Sequence, residues 1–333
     1  MEGIQNIKIF NGDSINYYDQ WESPVVIISD GPYGIGGYPG DPLSSDNLRE
    51  WYKPHIKKWS ELAKPITTLW FWNTELGWAN VHSEFLEQGW EFVNCHIWDK
   101  GKGHIAGNVN TKTLRKFPVI TEVCVQYVKK AYFKVNDSNL TMQEWLRYEW
   151  QRTGLPLSKT NEACGVVNAA SRKYFTNCHL WYFPPSDAFE KIVKYANQYG
   201  KKEGIPYFSI DGIKPISKTE WETMRAKFKC EFGIYNVWRE PALNGKERLK
   251  NGTKSLHLNQ KPLKFMKNII QSSSDENDVV WEPFGGLFSG LIAANKLNRV
   301  GYGAEITDTT FEYGKKRIID ELSHSKEYHL INQ

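Results

Sequence analysis

The chain has 333 residues, 40% hydrophobic and 24% charged, enough to bury one large core or two modest ones and too apolar for a disordered chain. A net charge of +4 is compatible with nucleic acid but decides little, and no apolar run approaches the ~18 residues of a membrane helix. Five cysteines, odd in number and without a C-x-x-C pair, together with a start (MEGIQNIKIF) that lacks both regions of a signal peptide, predict reduced, partly buried thiols in a cytoplasmic protein, with no zinc or other bound metal.

In chain order, Ile7–Phe10 is a short β-like run that leads into Asn11-Gly12-Asp13-Ser14, a turn with helix-capping residues. Residues Pro24–Ser29 form an unbroken Val/Ile run, the pattern of a strand covered on both faces of a parallel sheet, and Asp30-Gly31-Pro32-Tyr33-Gly34 stops it. A helix is predicted over Asn47–Ala63, with Trp51, His55, Trp59 and Leu62 on one face. Strands are predicted at Thr67–Trp72, Phe92–Trp98 and Glu122–Val128. The polar loop Gly101–Lys116, which holds Lys112 and Arg115, is a candidate for phosphate contact.

From Asn136 to Lys229 the chain is richer in charge and loses this alternation, so residues 136–229 read as an inserted, mainly helical region between the two parts of an α/β domain, 1–135 and 230–333. Within it, Gly154-Leu155-Pro156-Leu157 followed by residues 160–175 reads like a helix-turn-helix fragment. Ala163, Val166, Val167 and Ala170 give it an apolar stripe, and Arg147, Arg152, Lys159, Arg172 and Lys173 supply positive charge. Strand–helix alternation returns with a helix from Lys261-Pro262 to Gln271, a strand at Asp278–Glu282, a glycine turn at Pro283–Leu287 and a helix over Ser289–Leu297. A strand at Val300–Glu305 and a helix over Thr310–Leu322 close the chain. Alternation of this kind implies a doubly wound, mostly parallel sheet.

Two turns carry the chemistry. In Glu282-Pro283-Phe284-Gly285-Gly286 the glycines let backbone approach a ligand, and Glu305 ends the next strand twenty residues after Gly285, where an acid can accept hydrogen bonds from ribose hydroxyls. Asp30-Gly31-Pro32-Tyr33 lies at the carboxyl end of a buried strand, the usual place for a site in an open α/β sheet, and sets an acid beside an aromatic ring.

Together these turns resemble motifs IV (D/N/S-P-P-Y/F) and I (F-x-G-x-G type) of the DNA amino-methyltransferases. Asn11-Gly12-Asp13-Ser14 looks like the G-D-S segment ahead of motif IV. His257-Leu258-Asn259-Gln260-Lys261-Pro262 looks like motif X, and Asn236-Val237-Trp238 with Pro241 resembles the run before it. The order, catalytic motif first and cofactor motif last, resembles the β class. Gly31 stands where the family has its first proline, and Gly285-Gly286 where it more often has Gly-x-Gly.

The resemblance implies a Rossmann-like methyltransferase fold with circularly permuted motifs and S-adenosylmethionine as cofactor. It places Asp30, Gly31, Pro32 and Tyr33 in catalysis, and Asp13, Lys261, Glu282, Phe284, Gly285, Gly286 and Glu305 around the cofactor. Double-stranded DNA is the expected partner, read by the inserted region, with the target base flipped; Lys112, Arg115, Arg152, Lys159, Arg172 and Lys173 are the candidate contacts. Asp30 leans towards N6 of adenine over N4 of cytosine. A catalytically inactive DNA-binding partner is the reading from another class, against which Asp30, Pro32 and Tyr33 argue. The sequence is silent on a cognate restriction endonuclease and on a homodimer.

Overall fold

The computed structural model describes residues 6–36, 40–101, 115–202, 204–231, 233–243, 247–252, 254–256 and 260–330. The chain divides into two compact units, one made of Met1–Lys129 with Ala226–Gln333 and the other of Lys130–Arg225. The first begins with β1 (Ile7–Asn11), β2 (Val26–Ser29), α1 (Leu48–Leu62), β3 (Thr68–Asn73), α2 (Glu75–Glu87), β4 (Trp90–Asp99) and β5 (Thr121–Lys129). The second contains β6 (Tyr132–Val135), β7 (Ser138–Thr141), α3 (Met142–Arg152), α4 (Lys159–Cys164), α5 (Ala169–Tyr174), α6 (Ser186–Tyr199) and α7 (Lys218–Glu222). The first unit resumes with β8 (Val237–Arg239), a short β9–β10 pair (Lys250–Asn251, Lys254–Ser255), α8 (Leu263–Ser273), β11 (Val279–Glu282), α9 (Ser289–Lys296), β12 (Val300–Glu305) and α10 (Asp308–Leu330).

Among the described residues, eight strands form one sheet in the order β1-β12-β11-β2-β3-β5-β4-β8. Every pairing is parallel except those of β5, which runs antiparallel to both β3 and β4. Side-chain alternation in β3 shows how both faces are covered. Leu69 and Phe71 pack with Tyr52, Ile56 and Trp59 of α1, while Trp70 and Trp72 pack with Phe265 and Ile269 of α8. A sheet buried on both sides needs apolar residues in both phases, and all four residues of β2 are buried.

Helix α2, between two predicted strands, was not among the predicted elements, and Gly77 weakens its helical signal. The glycine is there for space: a Cβ at Gly77 would lie 1.8 Å from Asn73 Oδ1. Thr74 caps this helix by accepting from Gly77 N.

The second unit has its own core around Trp145, Leu146, Trp150, Phe189 and Trp221. Its edges differ from the predicted 136 and 229. The β6–β7 hairpin starts earlier, and Lys227 and Lys229 pair with Asp275 and Asp278 of the first unit. The helix-turn-helix reading is corrected as well. Gly165, at φ 68, ends α4 after six residues, so Ala163 to Ala170 do not share one helical face. Ala170 is buried, but Val167 is 94% exposed and Val166 is exposed too. Of the five free cysteines, Cys124 is buried and Cys178 and Cys230 are exposed. No helix among the described residues is long and apolar enough to cross a membrane.

Candidate active site

The carboxyl ends of β1, β2, β11 and β12 open on a cavity of about 320 Å³ lined by Asp13, Asp30, Gly31, Pro32, Tyr33, Trp51, Lys261, Glu282, Phe284, Gly285, Gly286 and Glu305, among others. All four expected catalytic residues and all seven expected cofactor residues are therefore neighbours, although they come from opposite ends of the chain. Parallel register explains this: Asn11 lies opposite Glu305, Glu282 opposite Gly303, and β2 sits next to β11.

Gly31 is required by space. A Cβ there would lie 2.6 Å from both Phe284 Cδ2 and Tyr52 Oη. Rigidity comes from elsewhere: the Tyr52 hydroxyl and Asn73 Nδ2 each donate to Pro32 O at 3.0 Å. The turn is thus held by two side chains from α1 and β3. Among the described residues, no donor reaches Gly31 O.

Asp30 belongs to a cluster of charges that the sequence did not reveal. Lys261, only 2% exposed, donates from Nζ to Asp30 Oδ1 at 2.7 Å and to the Tyr33 hydroxyl at 2.9 Å, and lies 3.4 Å from Glu122 Oε2. The Tyr33 hydroxyl sits 3.0 Å from Asp30 Oδ1 and 3.3 Å from Glu122 Oε2, so its one proton is shared between two carboxylates. Lys100 donates to the other oxygen of Glu122. Burial raises the Asp30 pKa above the usual carboxylate range, against the pull of Lys261. Burial also acts to raise Glu122, but Lys261 and Lys100 together carry it below its ordinary value. Desolvation acts to lower Lys261, yet the two carboxylates hold it above the usual lysine value. Lys261, expected at the cofactor, is bonded to the Asp30–Tyr33 turn.

Across the cavity, the glycine turn is shaped by close approach. A Cβ on Gly285 would lie 2.1 Å from the Phe288 ring, and Gly286 has φ 50. Glu305 is fixed by Gly286 N on one oxygen and Thr307 N on the other, both at 2.9 Å. Each oxygen keeps lone-pair capacity for a hydroxyl. Glu282 lines the cavity, but its carboxylate caps α9 by accepting from Gly290 N and Leu291 N at 2.8 Å. Burial raises its pKa to about 8. Asp13 both lines the cavity and caps a short turn through Ile15 N. Phe284 packs among Trp51, Tyr52 and His55.

The DNA-contact candidates fare unevenly. Lys112 lies outside the described residues, as do His257, Leu258 and Asn259. Arg115, Arg172 and Lys173 are exposed. Lys159 pairs with Glu162 at 2.5 Å. Arg152 is engaged within the second unit: its guanidinium holds the buried Glu149 at 2.7 and 2.9 Å and covers the Tyr207 ring. Sequence reasoning also missed Trp51, Tyr52, Asn73 and Glu122, and read Lys100 only with the candidate phosphate-contact loop. Asn73 and Glu122 do stand at the end and start of strands, the one signal that could have placed them at the site's rim.

The profile of a family described as DNA methylase, for N6 and N4 methyltransferases, matches residues 25–316. A type II methyltransferase of Moraxella bovis, M2.MboI, is 22% identical over 322 residues, covering 94% of this chain and 88% of the relative. Another from Haemophilus influenzae, M.HinfI, is 32% identical over 98 residues, 29% of this chain and 27% of the relative. Among solved structures, the cytosine-N4-specific PvuII DNA methyltransferase superimposes with a TM-score of 0.53 at 12% identity, covering 96% of this chain and 92% of that one, which shows a shared fold.

Proposed function

Since the chain belongs to the N6/N4 DNA methylase family, we propose that it methylates the exocyclic amine of a flipped base in duplex DNA, N6 of adenine before N4 of cytosine, with Asp30 and Gly31 as the amine's acceptors. It is an S-adenosylmethionine-dependent DNA methyltransferase. The cavity fits that cofactor: Glu305 offers two backbone-anchored oxygens for a diol, Trp51 and Phe284 give an aromatic wall, and Gly285 and Gly286 keep the floor free of side chains. When bound, the cofactor supplies the electrophilic sulfonium methyl.

The observation that carries the reading is a pair of unengaged acceptors. Tyr33 and Lys261 both donate to Asp30 Oδ1, leaving Oδ2 without a donor among the described residues, and among them Gly31 O is equally open. An exocyclic amine is a weak nucleophile because its lone pair is delocalised into the ring. Its two hydrogens match two acceptors, and donating to both draws the nitrogen towards a tetrahedral shape and aims its lone pair. Asp30 then takes the proton that the methylated nitrogen sheds. Its raised pKa suits that task better than an ordinary aspartate's would.

In a duplex the amine lies within the base stack, so the nucleotide must swing out to reach these acceptors. The second unit is the proposed target-recognition region, with Arg172 and Lys173 on its surface and Arg115 on the first unit as candidate phosphate contacts. The type II relatives suggest a restriction-modification system with a cognate endonuclease. Digesting DNA treated with the protein and S-adenosylmethionine, and identifying the nucleosides by mass spectrometry, tests the reading. N6-methyladenine is the expected product. N4-methylcytosine would correct the base, and no methylated nucleoside at all would overturn the assignment.

A further inference from the structure

The buried charges around Asp30 have a function beyond balancing one another. Four chain segments converge there: Asp30 after β2, Lys261 ahead of α8, Glu122 on β5 and Lys100 just past β4. Two carboxylates and two ammonium groups make the cluster neutral while Asp30 stays ionised. Burying four charges offers little net stability over apolar packing, because desolvation offsets the attraction. What such a cluster does provide is geometry. An aspartate carboxylate turns readily about its last torsion, which exchanges its two oxygens. Here Lys261 and Tyr33 both hold Oδ1, and both are themselves held by Glu122 Oε2.

We propose that Glu122, anchored by Lys100, is a positioning residue for methyl transfer: it fixes Lys261 and Tyr33 against Asp30 Oδ1, so that Oδ2 is always the oxygen presented to the base amine. This rests on the methyltransferase reading above. Glu122 touches neither substrate; it acts through Lys261 and Tyr33. Loss of its charge removes one of the holds on the Lys261 ammonium and loosens the Asp30 carboxylate, which lowers the fraction of complexes poised for transfer.

Two opposed electrostatic influences give a readout that a purely structural role would not move. Lys261 lowers the Asp30 pKa and Glu122 raises it. The other titratable groups that sense Asp30, namely Tyr33 in the same turn, Tyr52 on α1, Cys124 on β5 and Glu282 on β11, are retained in both variants below. Glu122→Gln should therefore move the acid limb of the rate profile to lower pH, and Lys261→Met should move it to higher pH.

The experiment measures single-turnover methyl transfer to duplex DNA across pH, alongside S-adenosylmethionine affinity and circular dichroism, for the full-length protein. Glu122→Gln is expected to slow transfer by ~10-fold or more with cofactor affinity within about twofold of wild type. Glu122→Asp, which keeps the charge, is expected to recover part of the rate. Tyr33→Phe, which keeps the ring and removes the shared hydroxyl, provides a second probe should Glu122→Gln fail to fold, and is expected to slow transfer at unchanged affinity. Folded Glu122→Gln or Tyr33→Phe protein with the wild-type rate and an unshifted acid limb would overturn the proposal. If wild type itself leaves DNA unmethylated, the methyltransferase reading fails; if wild type is active and Asp30→Ala is not, only the role of Glu122 is in question.

Discussion

Replacing Gly31 by alanine adds one methyl group, and the structure fixes the sign of its effect. Gly31 is not in the left-handed region, so backbone strain contributes nothing. At an unobstructed position of that kind, Gly→Ala stabilises by ~0.4–1 kcal/mol by restricting the unfolded chain. Here the new Cβ would sit 2.6 Å from Phe284 Cδ2, 2.8 Å from Phe284 Cε2 and 2.6 Å from Tyr52 Oη. Either the Phe284 ring moves into the cavity or Tyr52 gives up its bond to Pro32 O. Overpacking of this sort costs ~1–3 kcal/mol, which exceeds the chain-entropy gain. Gly31→Ala should therefore lower the thermal midpoint by a few degrees and weaken cofactor binding. The same substitution made in a Phe284→Ala background should cost ~1 kcal/mol less, since the ring contacts are gone and Tyr52 Oη can swing into the vacated space. A neutral or stabilising Gly31→Ala, or an equal cost in both backgrounds, would refute the steric account of this glycine.

Removing the Glu305 carboxylate by Glu305→Ala should weaken S-adenosylmethionine binding by ~10–100-fold, with a smaller change in the rate at saturation, as isothermal calorimetry and steady-state kinetics would show. Glu282 has a folded pKa of about 8 against 4.5 in a model peptide. Between those values the folded state holds a proton that the unfolded state lacks, so this residue makes stability fall as pH rises. Glu282→Gln should flatten that slope in denaturant titrations between the two values, and an unchanged slope would contradict the burial argument. Arg152→Met should destabilise the second unit by ~3 kcal/mol, because it leaves the buried Glu149 without its counter-charge, held only by Phe208 N among the described residues. It should leave the salt dependence of DNA binding unchanged, whereas Arg172→Ala should reduce the slope of affinity against salt.

The parallel part of the sheet was legible because strands buried on both faces read as unbroken apolar runs. Val26–Ser29 and Val300–Glu305 match their predicted ends closely. The antiparallel part was harder, since nothing local distinguishes β5 from a parallel strand and its direction is fixed by pairing with β3 and β4. Helix α2 was missed because Gly77 weakens its local signal, and that glycine is explained by the close approach of Asn73, with Leu48 beside it. At the site, motif spacing gathered Asp30, Glu305 and the glycine turn. Lys261 was expected at the cofactor, and its bond to Asp30 could not be foreseen because its partners Asp30 and Glu122 lie far away in sequence. Glu122 belongs to no motif; its place follows from strand order. Arg152 shows the opposite case, a cation in a basic stretch whose structural partner, Glu149, lies only three residues earlier on α3.

Methyl transfer rests most directly on Asp30 Oδ2 and Gly31 O, the acceptor pair that no donor among the described residues reaches. The decisive measurement is single-turnover methyl transfer by Asp30→Ala, with S-adenosylmethionine affinity determined on the same preparation. The account predicts a loss of about a thousandfold or more in the transfer rate while the cofactor still binds within several-fold of wild type. Transfer at a rate near wild type by Asp30→Ala would contradict it.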